Sequence, residues 1–204
     1  MRLFMFSGIV ETTGRIFSLK KNQGCLQISV QPEQIFDDVC VGDSVAINGV
    51  CLTVTALHEN RFDMTIVPET LRITNLNTLI ESASVNVARS LKVTDRIGGH
   101  CVQGHVDGVG KIIEIKQDGE DAWIVKMSVD KTLSKYMVNK GFITLDGMSI
   151  TVIAASQNDF TVTLIPYTRQ VTIAHQYQVG HIVNIEIDIF AKTIEKLLKG
   201  NSDA

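Results

Sequence analysis

The chain of 204 residues contains one short pattern twice, and this repeat limits the fold more than any other feature of the sequence. Residues 48–55 read Asn-Gly-Val-Cys-Leu-Thr-Val-Thr, and residues 146–152 read Asp-Gly-Met-Ser-Ile-Thr-Val. In each copy a polar residue and a glycine predict a tight turn, and alternating small polar and aliphatic side chains predict a strand. Cys51 and Ser149 therefore hold the same place on two similar strands. Two ordinary hairpins with surface hydroxyls are the alternative.

The repeat extends over most of the chain. At the same offset residues 66–70 match residues 164–168, and near the start, with the offset two residues shorter, residues 8–11 match residues 104–107. Repeats accommodate such a slip as a surface loop insertion. A unit of just under about 100 residues is too long for a solenoid and suits two similar tandem domains. We predict domains at residues 1–100 and 101–190, followed by a tail at residues 191–204.

Each copy contains six short apolar or alternating stretches separated by turn residues, which predicts an all-β fold. The predicted strands of the first copy span residues 6–17, 25–30, 42–47, 48–55, 61–67 and 85–89. Those of the second copy span residues 104–115, 123–127, 141–145, 149–154, 160–165 and 183–187. Gly8 and Gly14 are interpreted as bends or bulges in the first strand. The pattern predicts a small antiparallel barrel or sandwich, and a closed barrel has no exposed edge strand.

Helices are predicted at few places within the repeats. Pro32 opens one predicted helical turn over residues 32–36, because proline is favoured in the first turn of a helix. Residues 69–76 are expected to form one or two turns after Pro68 ends the fifth strand. Asp130 is a suitable N-cap for a short helix that ends at Tyr136.

The tail has no counterpart within the repeats. Residues 191–198 predict an amphipathic helix, since Ile194, Leu197 and Leu198 recur at helical spacing with charged residues between them. This apolar stripe requires a surface to cover it. A partner subunit and the chain's own second domain are both open interpretations at this point.

Composition excludes several classes of protein. A net charge of −3 gives no electrostatic reason to expect nucleic-acid binding. No apolar run approaches the roughly 18 to 20 residues of a membrane span. Residues 1–6 are apolar but too short for a signal peptide, and Met5 is an alternative start to Met1. We therefore expect a cytoplasmic protein that contacts neither nucleic acid nor membrane.

The four cysteines and five histidines give no pattern of a metal site. No Cys-x-x-Cys pair occurs, and cysteines in a chain of this kind are expected to be reduced thiols. His100 and His105 are five residues apart among glycines, which is poor geometry for a zinc pair. The prediction is that no metal is bound.

Seven stretches together resemble the motifs of one family, riboflavin synthase of the alpha-chain type. They span residues 5–11, 48–55, 69–76, 98–105, 140–142, 146–152 and 184–188, in the order in which the family has them. Each motif alone is weak, whereas the set covers nearly the whole chain and is specific.

The resemblance implies two six-stranded Greek-key barrels and a C-terminal α-helix through which three chains assemble as a homotrimer. It implies that two molecules of 6,7-dimethyl-8-ribityllumazine react without cofactor or metal. A four-carbon unit moves from one to the other, giving riboflavin and 5-amino-6-ribitylamino-uracil. Each barrel would bind one lumazine, with the active site between the N-terminal barrel of one subunit and the C-terminal barrel of its neighbour. Association with lumazine synthase is a further expectation. The sequence leaves open which barrel holds the donor.

The resemblance also implies the substrate-binding residues, which would supply backbone hydrogen bonds and small polar side chains to a flat ring and its ribityl chain. In the first barrel they are Phe6, Gly8, Ile9, Val10, Cys51, Leu52, Thr53, Thr65, Ile66, Val67, Pro68, Glu69 and Thr70. In the second barrel they are Gly104, His105, Val106, Lys140, Ser149, Ile150, Thr151, Ile165, Pro166, Tyr167, Thr168, Arg169 and Gln170.

Five side chains are the catalytic candidates. His105 suits removal of a methyl proton, because imidazole titrates near neutral pH. Cys51, Ser44 and Ser149 are candidates for proton transfer or nucleophilic assistance, and Asp188 resembles an acidic residue of the family near its site. Simpler interpretations are a packed strand histidine, a small buried thiol and a turn-forming aspartate.

Two positions depart from the family pattern. Tyr167 stands where the first copy has Glu69 and the family usually has Glu, and Ala88 replaces a common Glu. A lumazine-binding fluorescence protein without activity is the rival from another class, but such proteins lose much of the second motif set, which is intact here. A flavin reductase with one such barrel is disfavoured, since no Gly-x-Gly-x-x-Gly segment is present.

Overall fold

The computed structural model describes residues 5–200, so residues 1–4, with the alternative start at Met1, and residues 201–204 lie outside the described part. The first six strands are β1 (Thr12–Asn22), β2 (Cys25–Pro32), β3 (Ser44–Ile47), β4 (Val50–His58), β5 (Arg61–Ile66) and β6 (Ser84–Arg89). They close into an antiparallel barrel in the order β1-β2-β5-β4-β3-β6. Helix α1 (Pro68–Ile73) and a 3-10 turn (Asn75–Thr78) connect β5 to β6.

The second half repeats this plan. Its strands are β7 (Gly108–Asp118), β8 (Ala122–Ser128), β9 (Phe142–Leu145), β10 (Met148–Ala155), β11 (Asp159–Leu164) and β12 (Ile182–Ile187), and they close in the matching order. Its helices are α2 (Lys131–Ser134) and α3 (Pro166–Val171), with a 3-10 turn (Ile173–Gln176), and α4 (Ile189–Lys199) follows. The predicted all-β fold of two six-stranded barrels is confirmed. The exact domain boundaries stay a prediction.

Alternation along each strand fills the barrels. In β5, Phe62, Met64 and Ile66 are buried while the residues between them are partly exposed, as the period of two requires. The chain bends at Gly8, whose φ is 73°, as predicted. The register of β1 against β2 shifts between Ile16 and Ser18, so the bulge lies there and not at Gly14. Each barrel thus has its own apolar core.

Two short segments leave their own repeat and pack on the other barrel. Residues 6–10 precede β1, yet Val10 packs on the core of the second barrel. Residues 102–106 precede β7, yet Val106 belongs to the core of the first barrel. Phe6 and Val102 pair where these two segments cross, through hydrogen bonds of 2.7 and 3.1 Å. We call them the crossing segments.

Paired asparagines join the barrels behind the crossing. The Asn86 side chain donates to the Asp146 carbonyl, and the Asn184 side chain donates to the Asn48 carbonyl, both at 2.8 Å. All four residues are buried, and buried amides that find partners define one arrangement. The two halves therefore form one body with approximate two-fold symmetry.

Two predictions of local structure were wrong, and one open interpretation is decided. Residues 32–36 form no helical turn; Pro32 instead ends β2. The first strand of each barrel begins later than predicted, at Thr12 and at Gly108, because the residues before them are the crossing segments. The apolar stripe of α4 does not pack on the second barrel, since Leu197 and Leu198 remain 75 and 82% exposed.

The polar side of α4 faces the chain. Lys192 contacts Asp107 at 2.9 Å, and Lys135 contacts Glu195 at 2.6 Å. Asp188 caps the helix by accepting from the Phe190 amide. Within residues 5–200 no helix has the length and apolar character needed to span a membrane.

Candidate functional site

The first candidate site surrounds Cys51 on the outer face of the first barrel; with Ser44, Thr53 and Gly104 we call it the Cys51 site. Thr53 pairs with Ser44 across β4 and β3. The Cys51 amide donates to the Gly104 carbonyl at 2.8 Å, so a crossing segment covers the strand. A Cβ on Gly104 would lie 2.6 Å from the Cβ of Cys51. Because glycine has no Cβ, it is the residue that fits here without a clash.

Electrostatics keep Cys51 protonated. Burial raises the pKa of the thiol, and the nearby charge of Glu186 adds to this shift, while a hydrogen bond from Ser44 opposes it. Because the thiolate is the strong nucleophile, the arrangement favours a thiol that donates a proton over one that attacks as an anion. A cleft of about 400 Å³ opens beside Ser44, lined also by Ser90 and Leu91, a volume within the range of small-ligand pockets.

A buried carboxylate holds the covering segment. The amides of Gln103 and Gly104 donate to the two carboxylate oxygens of Glu186, at 2.7 and 3.0 Å. Burial raises the pKa of Glu186 to about 7, although these hydrogen bonds and the charge of Lys192 oppose the shift. Glu186 lies on β12 of the second barrel, so the Cys51 site uses residues from both halves.

The second candidate site surrounds Ser149; with Thr144, Thr151, His100 and Gly8 we call it the Ser149 site. The Ser149 amide donates to the Gly8 carbonyl at 2.7 Å, which repeats the contact of Cys51 with Gly104. His100 lies between two hydroxyls, with Nδ1 2.7 Å from Ser149 Oγ and Nε2 3.2 Å from Thr144 Oγ1. Its ring stacks on Phe142 with centroids 5.1 Å apart.

The surroundings of His100 favour the neutral form of its imidazole. Burial lowers the pKa of its imidazole, and Asp188 opposes the shift through its charge. A neutral imidazole donates through one nitrogen and accepts through the other. The pair of His100 and Ser149 can therefore pass a proton, which is the chemistry of a general base acting through a hydroxyl.

The structure brings some predicted catalytic residues together and leaves others apart. Ser44 and Cys51 meet in the first site, and Asp188 acts on His100 in the second. His105 is exposed, and its side chain makes no hydrogen bond or ion pair within the described residues 5–200. Lys140 is also exposed, with its backbone at a φ of 66° in the turn before β9.

The crossing reverses part of the predicted assignment to barrels. Gly8, predicted for the first barrel, covers Ser149 of the second, and Gly104, predicted for the second, covers Cys51 of the first. Alignment of the repeats cannot reveal an exchange of this kind, because both copies make it. The roles of these residues in binding stay predictions.

The remaining binding candidates lie where β5 and β11 lead into helices. Glu69 forms an ion pair with Arg72 in α1. Tyr167 replaces Glu69 in the second copy and is 69% exposed, while Gln170 stands in place of Arg72, so this ion pair has no counterpart in α3. Arg169 lies instead 3.5 Å above the Trp123 ring.

Two residues at the sites were missed from the sequence. His100 lies within the motif at residues 98–105, where the sequence suggests only an unfavourable zinc pair with His105, because its approach to Ser149 depends on the crossing. Glu186 follows Val-Asn-Ile where the first copy has Ala88, and this difference between the copies was the available signal. Among residues 5–200 no group of three or more His, Cys, Asp or Glu side chains could hold a metal ion.

Comparison with known proteins agrees with this geometry. The lumazine binding domain matches twice, at residues 7–90 and 103–188. The chain is 40% identical over 194 residues to riboflavin synthase of Bacillus subtilis, covering 95% of this chain and 90% of that protein. It is 40% identical over 201 residues to riboflavin synthase of Schizosaccharomyces pombe, covering 97 and 95%.

Solved structures show the same fold. The crystal structure of LumP complexed with riboflavin superposes with a TM-score of 0.83 at 23% identity, covering 90% of this chain and all of that one. LumP complexed with 6,7-dimethyl-8-(1'-D-ribityl) lumazine gives a TM-score of 0.81 at the same identity and coverage of 90 and 99%. Both structures of LumP share the architecture of paired barrels with this chain.

Proposed function

The chain belongs to the riboflavin synthase family, and we propose that it moves a four-carbon unit between two molecules of 6,7-dimethyl-8-ribityllumazine. The products are riboflavin and 5-amino-6-ribitylamino-uracil. One observation carries the proposal: the chain builds the site twice, each time with a small nucleophilic side chain under a crossing glycine. A reaction between two identical rings requires two binding sites of similar shape.

The first chemical step is removal of a methyl proton from one lumazine. We propose that neutral imidazole performs it, with His105 as the predicted base and the pair of His100 and Ser149 as the alternative that geometry favours. Cys51 with Ser44 then donates a proton or assists addition to the other ring. Holding two rings face to face lowers a bimolecular barrier by about 7 to 11 kcal/mol through orientation alone.

The reaction as proposed uses no cofactor. Two lumazines contain together the atoms of riboflavin and of the uracil product, so the transfer is redox-neutral and needs no added oxidant or reductant. The chain's part is to bind the ring edges, exclude water and move protons. The substrate itself supplies the electron-poor ring that makes its methyl group acidic.

We propose assembly as a homotrimer through α4. Phe190, Ile194, Leu197 and Leu198 leave an apolar surface on a helix whose polar side is already held by the second barrel, and a surface of this kind marks an interface. In the trimer the first barrel of one subunit would face the second barrel of its neighbour. We also propose a cytoplasmic location, which four free cysteines support, and association with lumazine synthase as supplier of substrate.

Incubation with the lumazine alone tests the proposed reaction. We expect riboflavin to form without any added cofactor, with one uracil product for each riboflavin, as absorbance and mass spectrometry would record. A protein that binds the lumazine tightly and releases it unchanged would be a binding protein, and the proposed activity would be wrong.

Ligand stoichiometry tests the paired sites. Because each barrel carries one site, we expect two molecules of a non-reacting lumazine analogue per chain in a calorimetric titration. The titration is carried out on the assembled protein, since each active site is proposed to need two subunits. One molecule per chain at saturation would contradict the proposal.

Removal of the tail tests the assembly. We expect deletion of residues 194–204 to give monomers that bind the analogue but turn over slowly, since the apolar stripe is then absent while both barrels remain. Sedimentation velocity and riboflavin formation measure the two effects. A truncated protein with the full-length sedimentation coefficient would rule out this role for α4.

A further inference from the structure

Glu186 is a buried carboxylate whose two oxygens both bind backbone amides of a crossing segment. We propose that Glu186 is a positioning residue for the Cys51 site. It fixes the peptides of Gln103 and Gly104, and through them sets the distance between Gly104 and Cys51 and the place of His105. This inference deepens the proposed function and rests on it where turnover is concerned.

A chain of hydrogen bonds connects Glu186 to Cys51 through the backbone of Gly104. Glu186 is 3% exposed, and its oxygens lie 2.7 and 3.0 Å from the two amide nitrogens. On the other side of the same peptide, the Gly104 carbonyl accepts from the Cys51 amide at 2.8 Å. Hydrogen bonds to a buried carboxylate are stronger than those between neutral groups. The segment is therefore held between β12 and β4, and loss of one side frees it to move on the other.

The first repeat lacks this clamp. Ala88 occupies the position of Glu186 and packs with Phe6, Ala46 and Val102 in a small apolar cluster. A methyl group cannot accept a hydrogen bond, so no carboxylate from β6 holds the crossing segment over Ser149. Within residues 5–200 the clamp thus belongs to the Cys51 site and not to the Ser149 site, and the two sites differ in how firmly the crossing segments over them are fixed.

The surroundings of Glu186 make the clamp sensitive to pH. The charged or titratable groups that face it are Lys192 on α4, Asp107 between the crossing segment and β7, and Cys51 on β4. Burial is the largest influence and raises the pKa of Glu186 to about 7. When the carboxyl takes up a proton, one oxygen becomes a donor that faces an amide donor. The cover of the Cys51 site should therefore loosen as pH falls below about 7.

Hydrogen exchange of the backbone tests the clamp without any turnover. In Glu186→Gln one of the two amides faces an NH₂ group whichever way the side chain lies. We expect exchange in residues 102–106 to accelerate about 10- to 100-fold, as loss of a hydrogen bond to a charged group predicts, and exchange in residues 6–10 to stay unchanged. Unchanged exchange in residues 102–106 would overturn the proposal.

Turnover and a matched control separate positioning from general damage. Asp146→Asn removes another buried carboxylate, at a position where the first repeat carries Asn48, and should leave exchange in residues 102–106 unaltered. Glu186→Gln should lower kcat at least about tenfold and remove an acidic limb near pH 7 from the kcat profile. If Glu186→Gln shows fast hydrogen exchange in residues 102–106 but keeps the wild-type kcat, the position of this segment does not affect catalysis.

A measurement on the unmodified protein decides the matter if Glu186→Gln does not fold. After correction for intrinsic rates, protection of the Gln103 and Gly104 amides should fall between pH 8 and about pH 5.5, as the raised pKa requires. Protection that does not change across this range would also refute the clamp. If the wild-type protein makes no riboflavin, the proposed function fails, while the exchange data still judge the clamp.

Discussion

The two barrels share a backbone plan and the crossing glycines, but their sites carry different side chains. Ser44 and Cys51 in the first correspond to Phe142 and Ser149 in the second. The first therefore holds a thiol hydrogen-bonded by a hydroxyl, and the second holds a hydroxyl bound to a stacked imidazole. The duplication preserved the contacts of the crossing glycines with β4 and β10, while the polar side chains beside these contacts diverged.

This difference indicates that two sites proposed to bind the same lumazine need not carry the same catalytic side chains. Two identical substrates meet different fates in the proposed reaction, since one gives up a four-carbon unit and the other receives it. A site with a neutral base suits the ring that loses a proton, and a site with a protonated thiol suits the ring that gains one. We therefore expect the sites not to be interchangeable.

Of the variants considered, Cys51→Ala should lower turnover the most. We expect kcat to fall by about 10²- to 10⁴-fold, as for one acid–base contribution, while analogue binding changes little because the backbone contact with Gly104 remains. Single-turnover rates and calorimetry measure the two quantities. Cys51→Ser places the residue of the second site in the first and is the control for shape. Wild-type turnover in Cys51→Ala would mean that the thiol only packs.

His100→Gln should have the next largest effect. The amide can still hydrogen-bond Ser149 but cannot take up a proton, so we expect a loss near the lower end of that range, about 10²-fold. Because burial lowers the pKa of His100, wild-type kcat should lose this base only below the usual histidine range. The variant should lack that acidic limb in its pH profile.

The alternative assignment of the base gives a different result. If His105 alone removes the proton, His105→Gln abolishes the acidic limb and His100→Gln keeps it. His105 is exposed, and its side chain makes no hydrogen bond within the described residues 5–200. Loss of the limb in one variant and its retention in the other therefore distinguish the two imidazoles.

Ser149→Ala should change affinity more than rate if His105, and not the pair of His100 and Ser149, is the base. It removes one hydroxyl that we predict to bind the ligand, and a hydrogen bond of this kind contributes about 0.5 to 1.5 kcal/mol. Analogue affinity at one of the two sites should fall about 2- to 12-fold. Calorimetry resolves this as two unequal sites per chain. A loss of kcat as large as that of Cys51→Ala would make Ser149 the reacting group.

The features that could be predicted from the sequence are those that depend on contacts between residues close together in the chain. Strand periodicity, the repeat and the Asp130 cap depend on neighbouring residues, and all appear in the structure. The sites depend on the exchange of two segments between barrels, which no local pattern encodes. The predicted turn at residues 32–36 failed for a related reason, since the Glu33 amide donates to the Thr13 carbonyl and so continues the pairing of the sheet.

The smallest expected effect on turnover comes from the interface between the barrels, where Asn48 and Asp146 hold equivalent places. Burial raises the pKa of Asp146 to about 7, whereas an unfolded aspartate titrates near about 3.9. A raised pKa means that this group's contribution to stability is complete below about pH 4 and is lost as pH rises to about 7. Asp146→Asn should leave kcat within about twofold, since Asp146 touches neither site.

The effect of the Asp146→Asn substitution should be seen in the stability of the protein. In Asp146→Asn the free energy of unfolding should fall less between pH 4.5 and 7.5 than in the wild type, by at least about 1 kcal/mol. Urea unfolding at several pH values measures it. The new amide remains satisfied, because the Tyr177 hydroxyl, which donates to Asp146 at 2.8 Å, can accept instead. A pH dependence equal to that of the wild type would contradict the raised pKa.

The reciprocal variant Asn48→Asp tests whether the two halves of the interface are equivalent. Asp146 accepts from Asn75 and Tyr177 as well as from the backbone of Asn184, but the matching positions around Asn48 hold Ile173 and Leu79, which have no polar hydrogens on their side chains. A carboxylate at position 48 would lose its hydration with fewer donors to replace it. Asn48→Asp should therefore destabilise the protein increasingly as pH rises, and more than Asp146→Asn does. Equal effects of the two variants would mean that the donors around Asp146 contribute nothing and that burial alone sets its titration.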